Sequence, residues 1–269
     1  MPDKKDSLSA YAAKLAGCAV AFSGGCDSSL LLKVFHDVLG DKCIAITYTS
    51  PLMPTKDSRD SIDFCKKYGI KHVLIENNVI SGEVRINDTE RCYFCKKEIF
   101  SLICNEAEKF GMEYVTEGSN ADDMNDYRPG MKALKELGVL SPLLDCSISK
   151  KDIREFSERL RLSTAEKKSS ACLASRIPYG EEIDADKLKR IDVSENYISS
   201  LGFSDFRVRS HENLARIEFM KKDFHSVLES NMLEKISSAL KSFGFVYVSV
   251  DADGFKSGSM NREIKERKF

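Results

Sequence analysis

The stretch AVAFSGGCDSSLLL, residues 19–32, decides how the rest of the chain reads. Ala19–Phe22 is short and apolar, the signature of a buried strand, and Ser28–Leu39 (SSLLLKVFHDVL) has a helical period. Between them Ser23, Gly24, Gly25, Cys26 and Asp27 form an abrupt strand-to-helix passage. Glycines let the backbone approach a ligand and take conformations that side chains forbid. The first amides of a helix are unpaired donors at the positive end of its dipole, so a phosphate fits there. Ser23, Ser28 and Ser29 add hydroxyl donors, and Asp27 is placed to hold Mg²⁺ on bound phosphates. No Walker lysine follows, and the spacing is not G-x-G-x-x-G, so neither of those patterns applies. The competing reading is a tight turn in which Asp27 and Ser28 only cap the helix.

Outward from that stretch, apolar β-rich runs alternate with helical patterns. Strands are expected at Cys43–Tyr48, Lys71–Ile75 and Glu113–Thr116, and helices at Thr55–Tyr68 and Lys96–Phe110. This alternation predicts an α/β fold, a parallel sheet with helices on both faces, whose ligands sit beyond the carboxyl ends of the strands. Ser50 follows the second strand, and EGSNADDMNDYRPG (117–130) follows the fourth. Gly118 permits close approach of a base or sugar. Asn120 lies past the strand end where a ligand is expected, and Asp122 and Asp123 either help hold Mg²⁺ or begin a helix. Residues 1–165 therefore read as a nucleotide-binding domain, 166–183 as a cysteine-bearing loop rich in Ser, Ala and Lys, and 184–269 as a small α+β domain. In the last, helices are expected at 184–201 and 223–243 and strands at 206–209, 214–219 and 245–250.

Charge and composition exclude several classes. Lys+Arg 41 against Asp+Glu 42 argues against bulk binding to nucleic acid. No apolar run reaches the roughly 20 residues of a membrane helix, and MPDKKDSLSAYAAKLAG lacks a secretory core, so the expected setting is the cytoplasm, without a membrane. Thiols stay reduced there, and nine cysteines invite a metal or catalytic reading for some. RCYFCKK (91–97) carries Cys92 and Cys95 two residues apart. Such a pair is half a metal site, a redox pair, or two packed side chains. Zinc would need four ligands, the fourth drawn from Cys104 or Cys26, and no thioredoxin-like βαβ setting surrounds the pair.

Together SGGCDS, RCYFCKK, EGSNADDMNDYRPG, SSACLASRIPYGEEI (169–183) and VRSHENLARIE (208–218) resemble the LarE family along nearly the whole chain. SGGxDS by itself resembles the wider PP-loop ATP pyrophosphatases, which cleave ATP between the α and β phosphates. The resemblance implies an ATP-dependent sulfur transferase that adenylylates and thiolates both carboxylates of pyridinium-3,5-biscarboxylic acid mononucleotide, for the nickel-pincer nucleotide cofactor. It implies that Cys172 handles the sulfur, either by giving up its own or, with Cys92 and Cys95, by holding a [4Fe-4S] cluster that binds hydrosulfide from a sulfide donor. It implies catalytic roles for Cys172 and Asp27, with Arg176 steering a carboxylate. It implies ATP and Mg²⁺ at Ser23, Gly24, Gly25, Asp27, Ser28, Ser29, Ser50, Gly118, Asn120, Asp126 and Arg128. Arg207, Arg209, Arg216 and Glu218 are the expected substrate contacts in a domain that also makes a homo-oligomer, in relatives a hexamer. Solvated strand charges pairing with one another are the plain alternative for those four. His211, alone in a turn, reads as structural. Two other functions stay open: tRNA thiolation, which wants a basic surface, and a regulator that binds nucleotide without cleaving it.

Overall fold

The computed structural model describes residues 4–125, 129–168, 171–229 and 231–256. Asp126 and Arg128 lie outside the described residues. The chain divides into two compact units, one within Met1–Val79 and Cys92–Ser170, the other within Ile80–Arg91 and Ala171–Phe269.

In the first unit β1 (Cys18–Ala21), β2 (Cys43–Thr49), β3 (Lys71–Glu76) and β4 (Tyr114–Thr116) form a wholly parallel sheet in the order β3-β2-β1-β4. The helices up to residue 160 are α1 (Lys4–Ala12), α2 (Cys26–Leu39), α3 (Thr55–Tyr68), α4 (Gly82–Arg85), α5 (Arg91–Lys109), α6 (Gly130–Glu136), α7 (Pro142–Asp145) and α8 (Lys150–Arg159). All but α4 serve the first unit. The strands at the centre of the sheet are apolar because both faces are covered. Their period of two sorts the side chains. Cys18, Val20, Cys43 and Ala45 share a core with Leu8, Leu31, Phe35, Phe64, Ile153 and Phe156. Ala19, Ile44, Ile46 and Tyr48 share the other with Phe100, Ile103, Ala107 and Leu134. The expected α/β sheet is what forms.

Strand order places a topological switch between β1 and β4, and the crevice at such a point lies past the carboxyl end of the first strand. Residues 22–25 occupy that position. Helices α1 and α8 went unforeseen, although Ser149-Lys-Lys-Asp152 is a capping box in the structure and a capping signature in the sequence.

The second unit has β5 (Phe206–His211) antiparallel to β6 (Leu214–Phe219), with β7 (Tyr247–Val250) parallel to β6. Helices α9 (Ala185–Ser200), α10 (Phe224–Leu228) and α11 (Met232–Ser242) enclose its core of Ile198, Val208, Ile217, Phe219, Val227, Ile236 and Leu240. The single helix expected over 223–243 is two. Asn231 has φ +62° just before α11, and a left-handed residue cannot continue a right-handed helix.

A half-buried imidazole ties the sheet to the loop that follows β1. Thr47 Oγ1 donates to Phe22 O at 2.7 Å, so it accepts from His72 Nε2 at 2.8 Å. Burial lowers the His72 pKa. Below about pH 6.5, the ordinary value, the unfolded histidine takes up a proton that the folded one refuses, so stability falls as pH falls. The urea midpoint is therefore expected to drop between pH 7.5 and 5.5, and to drop less in His72→Gln; equal drops would remove His72 from the account.

Candidate functional site

The loop past β1 is held from two sides. Gly24 has φ +69°, and a Cβ there would lie 3.1 Å from Asp57 O and 3.3 Å from Ser61 N, so the backbone of α3 presses on it. On the other side, a Cβ on Gly118 would lie 3.1 Å from Ser28 N. The close approach that Gly118 permits is that of the end of β4 to the loop–helix junction. Gly25 is the N-cap of α2, extended and without a side-chain cap, so the first amides of the helix keep their donors. Asp27 and Ser28 do not cap it. Ser28 Oγ instead donates to Gly25 O at 3.2 Å and lies 3.1 Å from Ser23 Oγ. Ser29 Oγ is buried with no hydrogen-bond partner among the described residues.

Two lysines that the sequence reading passed over stand on this loop. Lys150 Nζ donates to Asp27 Oδ1 at 2.5 Å, and Lys167 Nζ reaches Asp57 at 3.1 Å and Asp60 at 2.5 Å. Lys150 is the first residue of the capping-box helix, so its placement had a local signal; Lys167 had none. The segment past β4 supports the same helix end: Lys150 N donates to Asp122 Oδ2 at 2.8 Å, and Asn120 Oδ1 accepts from Asp122 N at 3.0 Å. Asn120 N in turn donates to Asp123 Oδ2 at 3.0 Å. Glu117 is buried and accepts from Ser119 N (3.0 Å), Ser119 Oγ (2.9 Å) and Ser141 Oγ (2.6 Å). Ser50 Oγ accepts from Leu52 N at 3.3 Å. An uncapped helix start, spare hydroxyls and two ammonium groups together suit a polyphosphate.

None of the nine cysteines forms a disulfide. Burial pushes the thiols of Cys18 and Cys65 up to about 12, and raises those of Cys26, Cys43, Cys104 and Cys146. Cys26 Sγ rests 3.6 Å from Ala165 O and 3.8 Å from Ser157 Oγ. Cys92 and Cys95 are half-buried in the first turn of α5, spaced to share one side of it, and Cys172 is exposed. No group of three or more His, Cys, Asp or Glu side chains is arranged to hold a metal among the described residues.

In the second unit Cys172 caps a 3₁₀ turn, Leu173–Arg176. Arg176, 2% exposed, serves that turn: Nη1 donates to Ala171 O (2.7 Å) and Cys172 O (3.1 Å), while Nε and Nη2 meet Glu195 at 3.0 and 2.8 Å. Arg209 is buried too, donating to Ser175 O at 2.8 Å and to Glu218 at 2.7 Å. Arg216 meets Asp251 and lies 3.4 Å from Glu218. Arg207 differs: its guanidinium donates to Phe206 O and lies 4.9 Å from the Phe255 ring centre, with no carboxylate paired to it among the described residues. Burial, then the Arg176 charge, lowers its pKa.

No family model matches the chain. Over 98% of this chain and 99% of its own length, an uncharacterized protein of Synechocystis sp. is 39% identical. Pyridinium-3,5-bisthiocarboxylic acid mononucleotide synthase of Lactiplantibacillus plantarum is 35% identical over 96% of this chain and 94% of its own. A glutamine-hydrolyzing GMP synthase polypeptide of Thermoplasma volcanium is 26% identical over 54% of this chain and 51% of its own. With the sheet order and the glycine loop, these likenesses define an α/β enzyme of the PP-loop class. Within that class the chain belongs to the LarE family, that of the Lactiplantibacillus synthase. No helix among the described residues is long and apolar enough to cross a membrane.

Gly24→Ala is expected to cost about 1–2 kcal/mol from the left-handed backbone alone, more with the contact to Asp57 O. Gly82→Ala, with nothing near its added methyl, is expected to stay within about 0.5 kcal/mol of the parent in urea unfolding.

Proposed function

We propose that this chain is an ATP-dependent sulfur transferase that adenylylates and then thiolates the carboxylates of a pyridinium-3,5-biscarboxylic acid mononucleotide. The observation that carries the reading is the uncapped start of α2 behind Gly24 and Gly25, flanked by Lys150 and Lys167. The printed activity of the Lactiplantibacillus relative supports the choice of substrate.

ATP lays its phosphates on the α2 amides and the hydroxyls of Ser23, Ser28 and Ser29. Lys150 and Lys167 exchange their carboxylates for phosphate oxygens, which leaves Asp27 to hold Mg²⁺, an ion that needs only one or two protein carboxylates when phosphates supply the rest. Ser50, Gly118, Asn120, Asp126 and Arg128 line the nucleotide. Arg207 takes a substrate anion, with Arg209, Arg216 and Glu218 fixing the strand face around it. A substrate carboxylate oxygen attacks the α-phosphorus; the new O–P bond forms as the bond to the β-phosphate oxygen breaks, and pyrophosphate leaves. Hydrosulfide then attacks the acyl carbon, the C–O bond to AMP breaks, AMP leaves with the electron pair, and the S–H proton passes to water. Arg176, spent on the carbonyls beside Cys172 and on Glu195, acts by shaping the turn that carries the thiol.

Cys92, Cys95 and Cys172 would hold the [4Fe-4S] cluster. The donor set fits by its chemistry, because such clusters are held by cysteine thiolates, and burial raises the pKa of the six other thiols, which disfavours them as ligands. When bound through three protein thiolates, such a cluster supplies an iron open to exogenous hydrosulfide. The protein works as a homo-oligomer fed by a sulfide donor.

Protein purified without oxygen, given ATP, Mg²⁺, sulfide and the biscarboxylate mononucleotide, is expected to form many thiolated products per chain. Cys92→Ser is expected to abolish repeated turnover, and Asp27→Ala to slow pyrophosphate release about a hundredfold. One product per chain, with loss of H₂S from Cys172, would replace the cluster with a sacrificial cysteine. Thiolated tRNA in place of thiolated mononucleotide would overturn the substrate.

A further inference from the structure

The turn bearing Cys172 is held by its carbonyls, four of which accept from buried arginines. Ala171 O and Cys172 O accept from Arg176, Ser175 O from Arg209, and Ala174 O from Arg91 Nη1 at 3.2 Å. Arg176 and Arg209 come from the same stretch of chain as the turn, 171–269. Arg91 belongs to the same unit but comes from its distant segment: it stands 83 positions from Ala174, 5% exposed, and it is the residue before Cys92.

Asn87 completes the arrangement. It is 0% exposed with φ +58°, a backbone that asparagine tolerates better than most residues. Its Nδ2 donates to Pro178 O (2.7 Å) and Glu181 O (2.9 Å), with Ile177 O at 3.4 Å, and its Oδ1 accepts from Arg91 Nη1. Backbone pairing runs alongside: Gly180 N donates to Asn87 O and Ile183 N to Arg85 O, both at 2.9 Å. The Arg91 guanidinium also lies over the Tyr179 ring, 5.2 Å from its centre. So residues 85–91 are laced to 174–183. The first segment supplies side-chain donors to main-chain acceptors of the second, and the second returns two main-chain donors to carbonyls of the first.

We infer that Asn87 and Arg91 are positioning residues for Cys172: they set the turn that presents its thiol, so that sulfur reaches an acyl adenylate. The inference rests on the reading of Cys172 as the residue that handles sulfur. Neither side chain touches nucleotide or substrate in this account. Their contribution is orientation, which governs rate steeply because reacting atoms must meet within a few tenths of an ångström. A lysine at 91 keeps the charge but loses the planar fork that meets Asn87 and Ala174 at once.

The test compares full-length wild type, Asn87→Ala and Arg91→Lys by two measurements. Hydrogen exchange is followed in peptides covering 171–183, and pyrophosphate release and thiolated product are counted with ATP, Mg²⁺, sulfide and the biscarboxylate mononucleotide. The expected result is exchange about tenfold faster in 171–183, pyrophosphate release retained, and thiolated product reduced tenfold or more. Unchanged exchange in both variants overturns the inference, as does faster exchange with product formation intact. Should Asn87→Ala also raise exchange across β1 and α2, the milder Arg91→Lys decides by the same criteria. A wild type that releases no pyrophosphate overturns the functional reading instead, and the exchange comparison identifies which of the two failed.

Discussion

The steric contact between α3 and the left-handed backbone at Gly24 is the constraint from which the first unit takes its function. A parallel sheet with the order β3-β2-β1-β4 brings the end of β1 to its switch point, but strand order alone makes only a crevice. In the proposed function the crevice becomes a phosphate cradle because the chain leaves β1 without a side chain at Gly24, where Asp57 O and Ser61 N stand in the way of one. Gly118 plays the mirrored part, letting the end of β4 close on Ser28 N. Pressed from both sides, the passage into α2 ends with its amides uncapped. The first turn of that helix has no side-chain cap to compete with a ligand.

Electrostatics follows from that geometry. Lys150 and Lys167 rest on Asp27, Asp57 and Asp60, three carboxylates in or beside the loop. A polyphosphate offers more charge than any one of them, so the lysines have a reason to change partners on binding and no need to travel far. The second unit uses its charges differently. Arg176 and Arg209 are buried, tied to carboxylates and turned on main-chain carbonyls; Arg207 alone of the three expected arginines is not paired with a carboxylate among the described residues. Charges of one type on one short strand thus divide between shaping the Cys172 turn and remaining available to an anion.

Much of the first unit was legible because its signals are local. A strand that ends in two glycines, an acid and a helical period needs no tertiary knowledge, and alternation of apolar runs with helices fixes a parallel sheet. The arginines show where this stops. A period of two puts Arg207 and Arg209 on one strand face, yet it does not tell which one Glu218 and Ser175 O will claim. The segment before Cys92 was opaque for a stronger reason. Asn87 and Arg91 bond to main-chain oxygens some 83 to 94 positions away, and a carbonyl has no letter in the sequence. The helix expected over 223–243 broke at Asn231 because apolar periodicity carried across a residue whose left-handed backbone ends it.

The most direct measurement of the central claim is the identity of the phosphates released. Phosphorus-31 NMR of the mixture of protein, ATP, Mg²⁺, hydrosulfide and the biscarboxylate mononucleotide should show AMP and pyrophosphate rising together, with no ADP. ADP with orthophosphate would mean that the bond broken is the one to the γ-phosphate, and the account of the loop as an adenylylating cradle would be contradicted.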